Sequence, residues 1–333
     1  MTLRRFSYLA TAAAAVAALA LPVEPWPARA QEWPARPMTL VVTFAAGSGD
    51  DVLARILSPR LSQLLGQQIV VENVGGAGGM TGTARVAKAR PDGYQFVLGG
   101  TGTFAANQTL YKHPLYNAAT DFAPVALIAE QPLLLTARQD LPVGNLAEFI
   151  AYAKANEAKL QYASGGVGSA THLGCVLLNS AIGVNATHIP YRAAAMALQD
   201  LIAGRMDYLC PIASTAIAQI EAHQIKAIAT LSKSRSPVLP NLASAQEQGL
   251  AGFEAYIWSG IFLPKGTPAA IVQKLNDAIV ATMDTPLVRE RLGDIGAELV
   301  APERRTGDYL AKFVASEIEK WGAVIRASGA SID

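Results

Sequence analysis

Short apolar runs of the kind that form buried strands alternate with helical repeats along most of the chain. Apolar residues from Val52 to Leu65 recur with the i, i+3, i+4 spacing of an amphipathic helix, and Gly66 follows as its stop. Asn145 and Glu148 have the spacing of a helix start and predict a second helix over Leu146–Asn156. The alternation predicts parallel sheets that are covered by helices. The other predicted strands are Met38–Phe44, Gln68–Glu72, Tyr94–Leu98, Gln161–Ala163, Ala186–Ile189, Met206–Pro211 and Ile225–Leu231, and the other predicted helices are Ala170–Ile182, Ala194–Ala203, Thr215–Ala222 and a tail from Pro268.

Two longer β-type runs, Pro124–Ala137 and Phe253–Leu263, differ from the rest of the pattern. A chain of about 300 residues exceeds what one hydrophobic core usually holds, so two domains are expected. We interpret the two long runs as strands that pass between these domains. The prediction is a discontinuous first domain, residues 31–128 and 253–333, with residues 129–252 inserted as the second.

The first 30 residues have the pattern of an export signal. Arg4 and Arg5 precede an apolar run, Tyr8–Leu21, and Ala28 and Ala30 are the small residues that signal peptidase requires. The run is shorter than the roughly 20 residues of a membrane anchor. We therefore expect cleavage after Ala30 and an exported product, by the general or the twin-arginine route.

Composition narrows the function classes. The 333 residues carry a formal net charge of +1, with 51% hydrophobic and 16% charged residues. The high hydrophobic content excludes a disordered chain. The near-neutral net charge gives no positive electrostatic potential that would attract nucleic acid. The sequence has no metal-binding motif, so neither metal nor cofactor is expected. Cys175 and Cys210 either form a disulfide in the export compartment or remain two buried free thiols.

Three loops carry the candidate chemistry, because ligands in α/β sheets bind beyond the carboxyl ends of strands, where helices begin. The first, Phe44–Asp51, contains two glycines; alternatively it is a tight turn in which Asp50 or Asp51 caps a helix. The second, Tyr162–His172, is rich in glycine and hydroxyl groups and could hold a carboxylate, with His172 expected to pack in the helix start. The third, His188–Ala194, offers Arg192 either as an anion ligand or as an ordinary surface residue.

Two further glycine-rich segments are weaker signals. Gly75–Gly79 is interpreted as architecture that leads into a helix ending near Arg90. Gly100–Ala105 matches a loose dinucleotide-binding pattern, but Pro114 interrupts any long helix after it. No Gly-x-Ser-x-Gly elbow occurs, so the sequence offers binding loops without a catalytic constellation.

Several short segments, in this order and spacing, resemble the receptors of tripartite tricarboxylate transporters, the TctC-like or Bug family of periplasmic solute-binding proteins. The similarity runs from about Pro37 to Asp333. The segments are Val71–Gly79, Ala89–Tyr94, Asp121–Val125, Leu160–Leu173, His188–Arg192, Asp200–Asp207, Trp258–Gly260 and Pro264–Pro268.

The resemblance implies an α/β fold of the type II periplasmic binding class, in which two domains are joined by a double crossing. It implies a monomeric, non-enzymatic receptor in the periplasm that captures a small organic acid for the permease subunits of a membrane transporter and binds no nucleic acid. The loops Phe44–Asp51 and Ser164–Thr171 would grip the carboxylate. The candidate ligand-binding residues are Phe44, Ser48, Gly49, Asp50, Asp51, Thr101, Ser164, Gly168, Ser169, Thr171, Tyr191, Arg192 and Asp207.

The first loop departs from the family pattern, in which two prolines and a Gly-Ser-Thr run are usual. Here Ala45 and Ala46 replace the prolines, and Asp50 stands where threonine is common. Val176 also replaces a frequent glutamate. If one aspartate caps the helix and the other faces the ligand, the latter would repel a second carboxylate, so we expect a monocarboxylate or a mixed polar acid.

Two other function classes remain open at this point. An exported hydrolase-like enzyme could use the same cleft, although the missing nucleophile motif counts against it. A sensor that presents bound solute to a receptor partner would share fold and site with a transport receptor. Mass spectrometry of ligand retained after native purification would narrow these alternatives most.

Overall fold

The computed structural model describes residues 32–328, so the predicted signal at residues 1–30 lies outside the described residues. The chain divides after Ala35, and the fold below is that of the long unit from Arg36. Its strands are β1 (Met38–Val42), β2 (Ile69–Asn73), β3 (Gln95–Gly100), β4 (Phe122–Pro132), β5 (Leu134–Arg138), β6 (Gln161–Ser164), β7 (Thr187–Pro190), β8 (Tyr208–Leu209), β9 (Ile225–Thr230), β10 (Tyr256–Pro264) and β11 (Glu298–Leu299). Its helices are α1 (Gly49–Leu65), α2 (Met80–Ala87), α3 (Asn107–Leu110), α4 (Leu146–Ala155), α5 (Ala170–Ile182), α6 (Ala194–Ile202), α7 (Ala213–Glu221), α8 (Ala269–Met283), α9 (Pro286–Asp294) and α10 (Gly307–Ser328).

The first sheet has the strand order β11-β4-β10-β3-β1-β2. Strands β2 and β3 flank β1 in parallel, and Leu40 lies opposite Val71 on one side and Phe96 on the other. Strand β10, in contrast, runs antiparallel to both β3 and β4. The predicted parallel pairing is therefore found for β1, β2 and β3 but not for β10, which enters the sheet at the end where β4 leaves it.

The second sheet has the order β7-β6-β8-β5-β9 and repeats this mixed arrangement. Strands β7 and β8 are parallel to β6, whereas β5 is antiparallel to β8 and β9. Of the predicted strand Met206–Pro211, Tyr208–Leu209 forms β8. Strand β5, which directly follows β4 of the first sheet, is thus antiparallel to both of its neighbours in the second sheet, as β10 is in the first.

The chain passes between the sheets at two adjacent places. Leu133 alone separates β4 from β5, so the predicted run Pro124–Ala137 is divided between two sheets. Leu133 N donates a hydrogen bond to Ala255 O at 3.0 Å, and Leu231 N donates to Leu133 O at 2.7 Å. Ala255 N completes the set by donating to Leu231 O at 2.8 Å. These bonds hold the outgoing and returning segments together.

Local signals in the sequence match the observed helix ends. Asn145 Oδ1 accepts a hydrogen bond from Glu148 N at 2.9 Å and caps α4, as predicted. Gly66 ends α1 in the left-handed conformation with φ 68°, which glycine adopts without strain. The helix after Gly75–Gly79 is shorter than predicted and ends at Ala87.

Each sheet has its own apolar packing. Beside the first sheet, the ring of Phe104 stacks on that of Phe262 with a centroid distance of 3.6 Å. Beside the second, a disulfide joins Cys175 of α5 to Cys210, and both residues are fully buried. Among residues 32–328, no helix has the length and hydropathy that crossing a bilayer would require.

Removing the disulfide should destabilise the protein without changing its fold. A Cys175→Ala, Cys210→Ala double variant is expected to lose about 3–4 kcal/mol of unfolding free energy, because the bridge restricts the unfolded chain. Urea unfolding of both proteins under oxidising conditions measures this difference. Thiol titration of the denatured, unreduced wild type is the direct check: two free thiols would contradict the bridge.

Candidate functional site

A cleft of about 880 Å³, counting the part that is open to solvent, is lined by loops from both sheets. The lining on the side of the first sheet follows β1 and β3 and includes part of the β4–β10 pair. The lining on the other side follows β6, β7 and β8. The lining residues are Phe44–Asp50, Gly100–Thr103, Gln131 and Ile257–Ser259 on the first side, and Gly165, Gly168–Thr171, Arg192–Ala195, Ile212 and Thr215 on the second.

The first loop ends in a serine cap at the start of α1. Ser48 Oγ accepts a hydrogen bond from Asp51 N at 3.3 Å. The Asp51 carboxylate turns back into the loop, where it accepts from Gly47 N at 2.9 Å and pairs with Arg55 at 3.0 Å. Burial alone would raise the pKa of Asp51, but the bonds from Arg55, Gly47 and Asn73 together lower it. Asp51 is therefore an ionised structural residue of the loop.

Asp50, the neighbouring acid, lies in the cleft lining. Ser259 Oγ of β10 donates a hydrogen bond to Asp50 Oδ1 at 2.8 Å. Burial raises the pKa of Asp50 to about 6, although the bond from Ser259 acts in the opposite direction. The prediction that an aspartate caps this helix is wrong, because Ser48 is the N-cap. Asp51 is instead bound within the loop, and Asp50 lies in the cleft lining.

The second loop ends in a serine cap of the same geometry. Ser48 and Ser169 both have φ −70° and ψ 160°, and Ser169 Oγ accepts from His172 N at 3.4 Å. Gly165 N donates to Thr171 Oγ1 at 2.8 Å, so the loop is held by its own hydroxyl groups. The serine caps take the N–H groups of Asp51 and His172. The N–H groups that precede them in each helix have no intrahelical acceptor and are available to an anion.

Close approach explains several glycines of the site. A Cβ on Gly49 would collide with the Ile212 side chain, which comes from the opposite side of the cleft. A Cβ on Gly100 would collide with the carbonyl oxygen of Trp258 on β10. The Gly100–Ala105 segment, which resembled a dinucleotide pattern, forms a π-helical turn over Thr101–Ala106. Gly100 is thus explained by its packing against β10.

Two histidines lie behind the second loop. His172 Nδ1 accepts a hydrogen bond from Gly168 N at 3.2 Å, and the His172 and His188 ring centroids are 4.3 Å apart. Burial, together with the neighbouring His188, lowers the pKa of His172 to about 3, and burial lowers that of His188 to about 4. Both rings are therefore neutral at pH 7, and His172 has the packing role that its position predicted.

The structure brings most of the predicted site residues to the cleft. Nine of them lie in its lining. The nine are Phe44, Ser48, Gly49, Asp50, Thr101, Gly168, Ser169, Thr171 and Arg192. Asp50 and Arg192 are the charged members of the described lining, and they stand on opposite sides.

Four predicted residues lie outside the lining: Asp51, Ser164, Tyr191 and Asp207. Ser164 is fully buried, with Oγ 2.6 Å from His188 Nε2. Tyr191 donates its hydroxyl proton to Asp200 at 2.7 Å. Asp207 precedes β8 and pairs with Arg138 at 3.1 Å, so it stands at the end of the strand that points away from the cleft. Direct ligand contact does not fit these positions.

Two polar residues on the central strands, Gln131 and Ser259, also line the cleft and were not among the predicted site residues. Gln131 follows Glu130 in an otherwise apolar run, and Ser259 interrupts the apolar residues of β10. A polar side chain within a buried strand needs a partner, and this was the available signal. Among residues 32–328, no cluster of three or more metal-ligating side chains occurs.

Comparisons with known proteins agree with the fold and the cleft. The model of the "Tripartite tricarboxylate transporter family receptor" matches residues 53–330. An Agrobacterium vitis protein, "UPF0065 protein in the TAR-I ttuE-ttuC' intergenic region", is 38% identical over 92% of this chain and 88% of its own length. This chain belongs to the tripartite tricarboxylate transporter receptor family, whose members are periplasmic solute receptors, and the resemblance found in the sequence is confirmed.

Comparison with solved structures indicates the same class of protein. MatC from Rhodopseudomonas palustris with bound malate superimposes with a TM-score of 0.83 at 39% identity, over 88% of this chain and 100% of MatC. Rpa4515 of R. palustris with adipate superimposes with a TM-score of 0.85 at 35% identity, over 90% of this chain and 99% of that protein. The predicted periplasmic-binding-protein fold is confirmed.

Neutralising Asp50 should stabilise the protein in a pH-dependent way. Its folded pKa of about 6 lies above the ordinary value of 3.8, so ionisation destabilises the folded state as pH rises through this window. Asp50→Asn is expected to raise the unfolding free energy by up to about 3 kcal/mol at pH 7.5, with little gain near pH 4. Urea unfolding at both pH values measures this.

The matched control is Asp294→Asn, which removes an exposed carboxylate on α9 away from the cleft. It should show no such pH-dependent gain. An Asp50→Asn protein that is equally destabilised at pH 4 and pH 7.5 would contradict the burial argument.

Proposed function

We propose that this chain is exported by its signal at residues 1–30 and captures a small carboxylate-bearing solute in the periplasm. It then delivers the solute to the permease subunits of a tripartite transporter. Membership of the receptor family supports the transport role. The malate and adipate bound to two related structures support the ligand class.

One observation of this chain carries the proposal: two serine-capped helix starts, from different sheets, face one cleft. The first N–H groups of a helix and its dipole both favour an anion. Arg192 adds an exposed cation on the side of the second sheet. A carboxylate held there needs no metal or cofactor.

The proposed domains are the two segments 31–128 and 253–333, built around the first sheet, and residues 129–252, built around the second. The paired crossings at Leu133 and between Leu231 and Ala255 support a hinge at this place. The receptor acts as a monomer towards its ligand and has no nucleic-acid partner. Its physiological partners are the organic acid and the membrane subunits.

Binding should require a carboxylate rather than a neutral group of the same shape. Titration calorimetry with malate, succinate, butyrate and aspartate is expected to show binding by at least one acid, whereas the corresponding amides or diamides should bind at least tenfold more weakly. Arg192→Gln should weaken the acid by roughly threefold to tenfold, as expected for a partly exposed charge-assisted bond. The matched control, Arg291→Gln on α9, should not change the affinity. Equal affinities for acids and diamides would contradict the proposed function.

Ligand binding should also draw the two sheets together about the crossings. Small-angle scattering with a bound acid is expected to show a smaller radius of gyration than the free protein, because closure would bury the ligand between both sides of the cleft. The corresponding diamide serves as the control and should leave the radius unchanged. An unchanged radius with a saturating acid would exclude hinge closure.

A further inference from the structure

The strand pair β4–β10 presents three side chains to the cleft from one face. Ile257 lies opposite Gln131, and Ser259 lies opposite Ala129, two residues along. Side chains of residues i and i+2 in a strand share a face, which places Gln131, Ile257 and Ser259 together in the lining. Asp50 of α1 joins this group through its bond to Ser259. We call Asp50, Gln131 and Ser259 the acceptor cluster.

The acceptor cluster has unused hydrogen-bonding capacity. Ser259 donates its hydroxyl proton to Asp50 Oδ1 at 2.8 Å, which leaves lone pairs on Ser259 Oγ. Asp50 Oδ2 has no partner among the described residues, and neither has the amide oxygen of Gln131, a residue that is only 5% exposed. A buried polar group without a partner destabilises the protein, so a ligand that completes these bonds gains affinity.

The two ends of the cleft differ in charge. The first turn of α1 contains Asp50 and Asp51, which already offset the positive end of that helix. The first turn of α5 contains no acid, and Arg192 lies on the same side of the cleft. The carboxylate of a ligand is therefore favoured at α5, while the end at Asp50 disfavours a second carboxylate.

We propose that the acceptor cluster binds an amine, and that the solute is a small amino acid with its carboxylate at α5 and its ammonium group at Asp50. A primary ammonium group offers three N–H donors, which match Asp50 Oδ2, Ser259 Oγ and the amide oxygen of Gln131. This inference rests on the proposed carboxylate site. It adds the second pole of the ligand and names Asp50 as the residue that determines its charge.

The test compares acids that differ at the second pole. Calorimetry at pH 7.5 uses two pairs, aspartate against succinate and 4-aminobutyrate against butyrate. Within at least one pair, the amine-bearing acid is expected to bind tenfold or more tightly than its partner. Asp50→Asn keeps the shape of the side chain and an acceptor for Ser259, and it should reduce this preference at least tenfold.

Two further variants check the source of the preference. Gln131→Met preserves size but removes the amide, and it should weaken the amine-bearing acid severalfold while leaving its amine-free partner nearly unchanged. Asp294→Asn is the control for a lost carboxylate and should leave the preference intact. Because Asp50→Asn is expected to stabilise the protein, weaker binding by that variant cannot be attributed to unfolding.

The outcomes separate the two proposals. If succinate binds more tightly than aspartate, butyrate at least as tightly as 4-aminobutyrate, and Asp50→Asn leaves the ranking unchanged, the amine site is overturned while the carboxylate receptor stands. If acids bind no better than neutral amides, the receptor proposal fails and the amine site fails with it.

Discussion

The antiparallel pairing of β4 with β10 is the constraint on which the rest of the structure depends. The two strands are 11 and 9 residues long, and they lead directly to the crossings into the second sheet. One face contributes Gln131 and Ser259 to the cleft. On the other face, Trp258 donates its indole N–H to Glu317 of α10 at 2.9 Å. The same hydrogen-bonded ladder therefore fixes the cleft wall, the inter-sheet crossings and the position of the C-terminal helix.

The two sides of the cleft use one local device with different charge. Each has a strand, a glycine-containing loop and a serine that caps the next helix in the same backbone conformation. The difference lies in the first helical turn, which is acidic in α1 and contains no acid in α5. Because the peptide dipole of both helices points the same way relative to the cleft, side chains alone give the cleft its polarity.

The negative charge of Asp50 lowers the stability of the folded state. Its carboxylate is drawn out of bulk water, and the hydrogen bond from Ser259 offsets only part of the loss of hydration. Asp51, one residue later, is also buried but is satisfied by Arg55, Asn73 and Gly47 N. Of two adjacent aspartates, one strengthens the loop and the other retains unused hydrogen-bonding capacity that faces the cleft.

Local sequence signals determined much of this protein: the strands next to α1, the helix caps at Asn145 and Gly66, the loops at the cleft and the family. These features depend on neighbours within a few residues, so hydrophobic spacing and glycine chemistry are sufficient to predict them. Tertiary structure decided the rest. Strand direction at β5 and β10, the roles of Gln131 and Ser259, and the removal of Ser164 and Asp207 from the cleft depend on contacts between distant segments. Spacing along the chain cannot say which end of a strand meets the cleft, because pairing between distant strands fixes it.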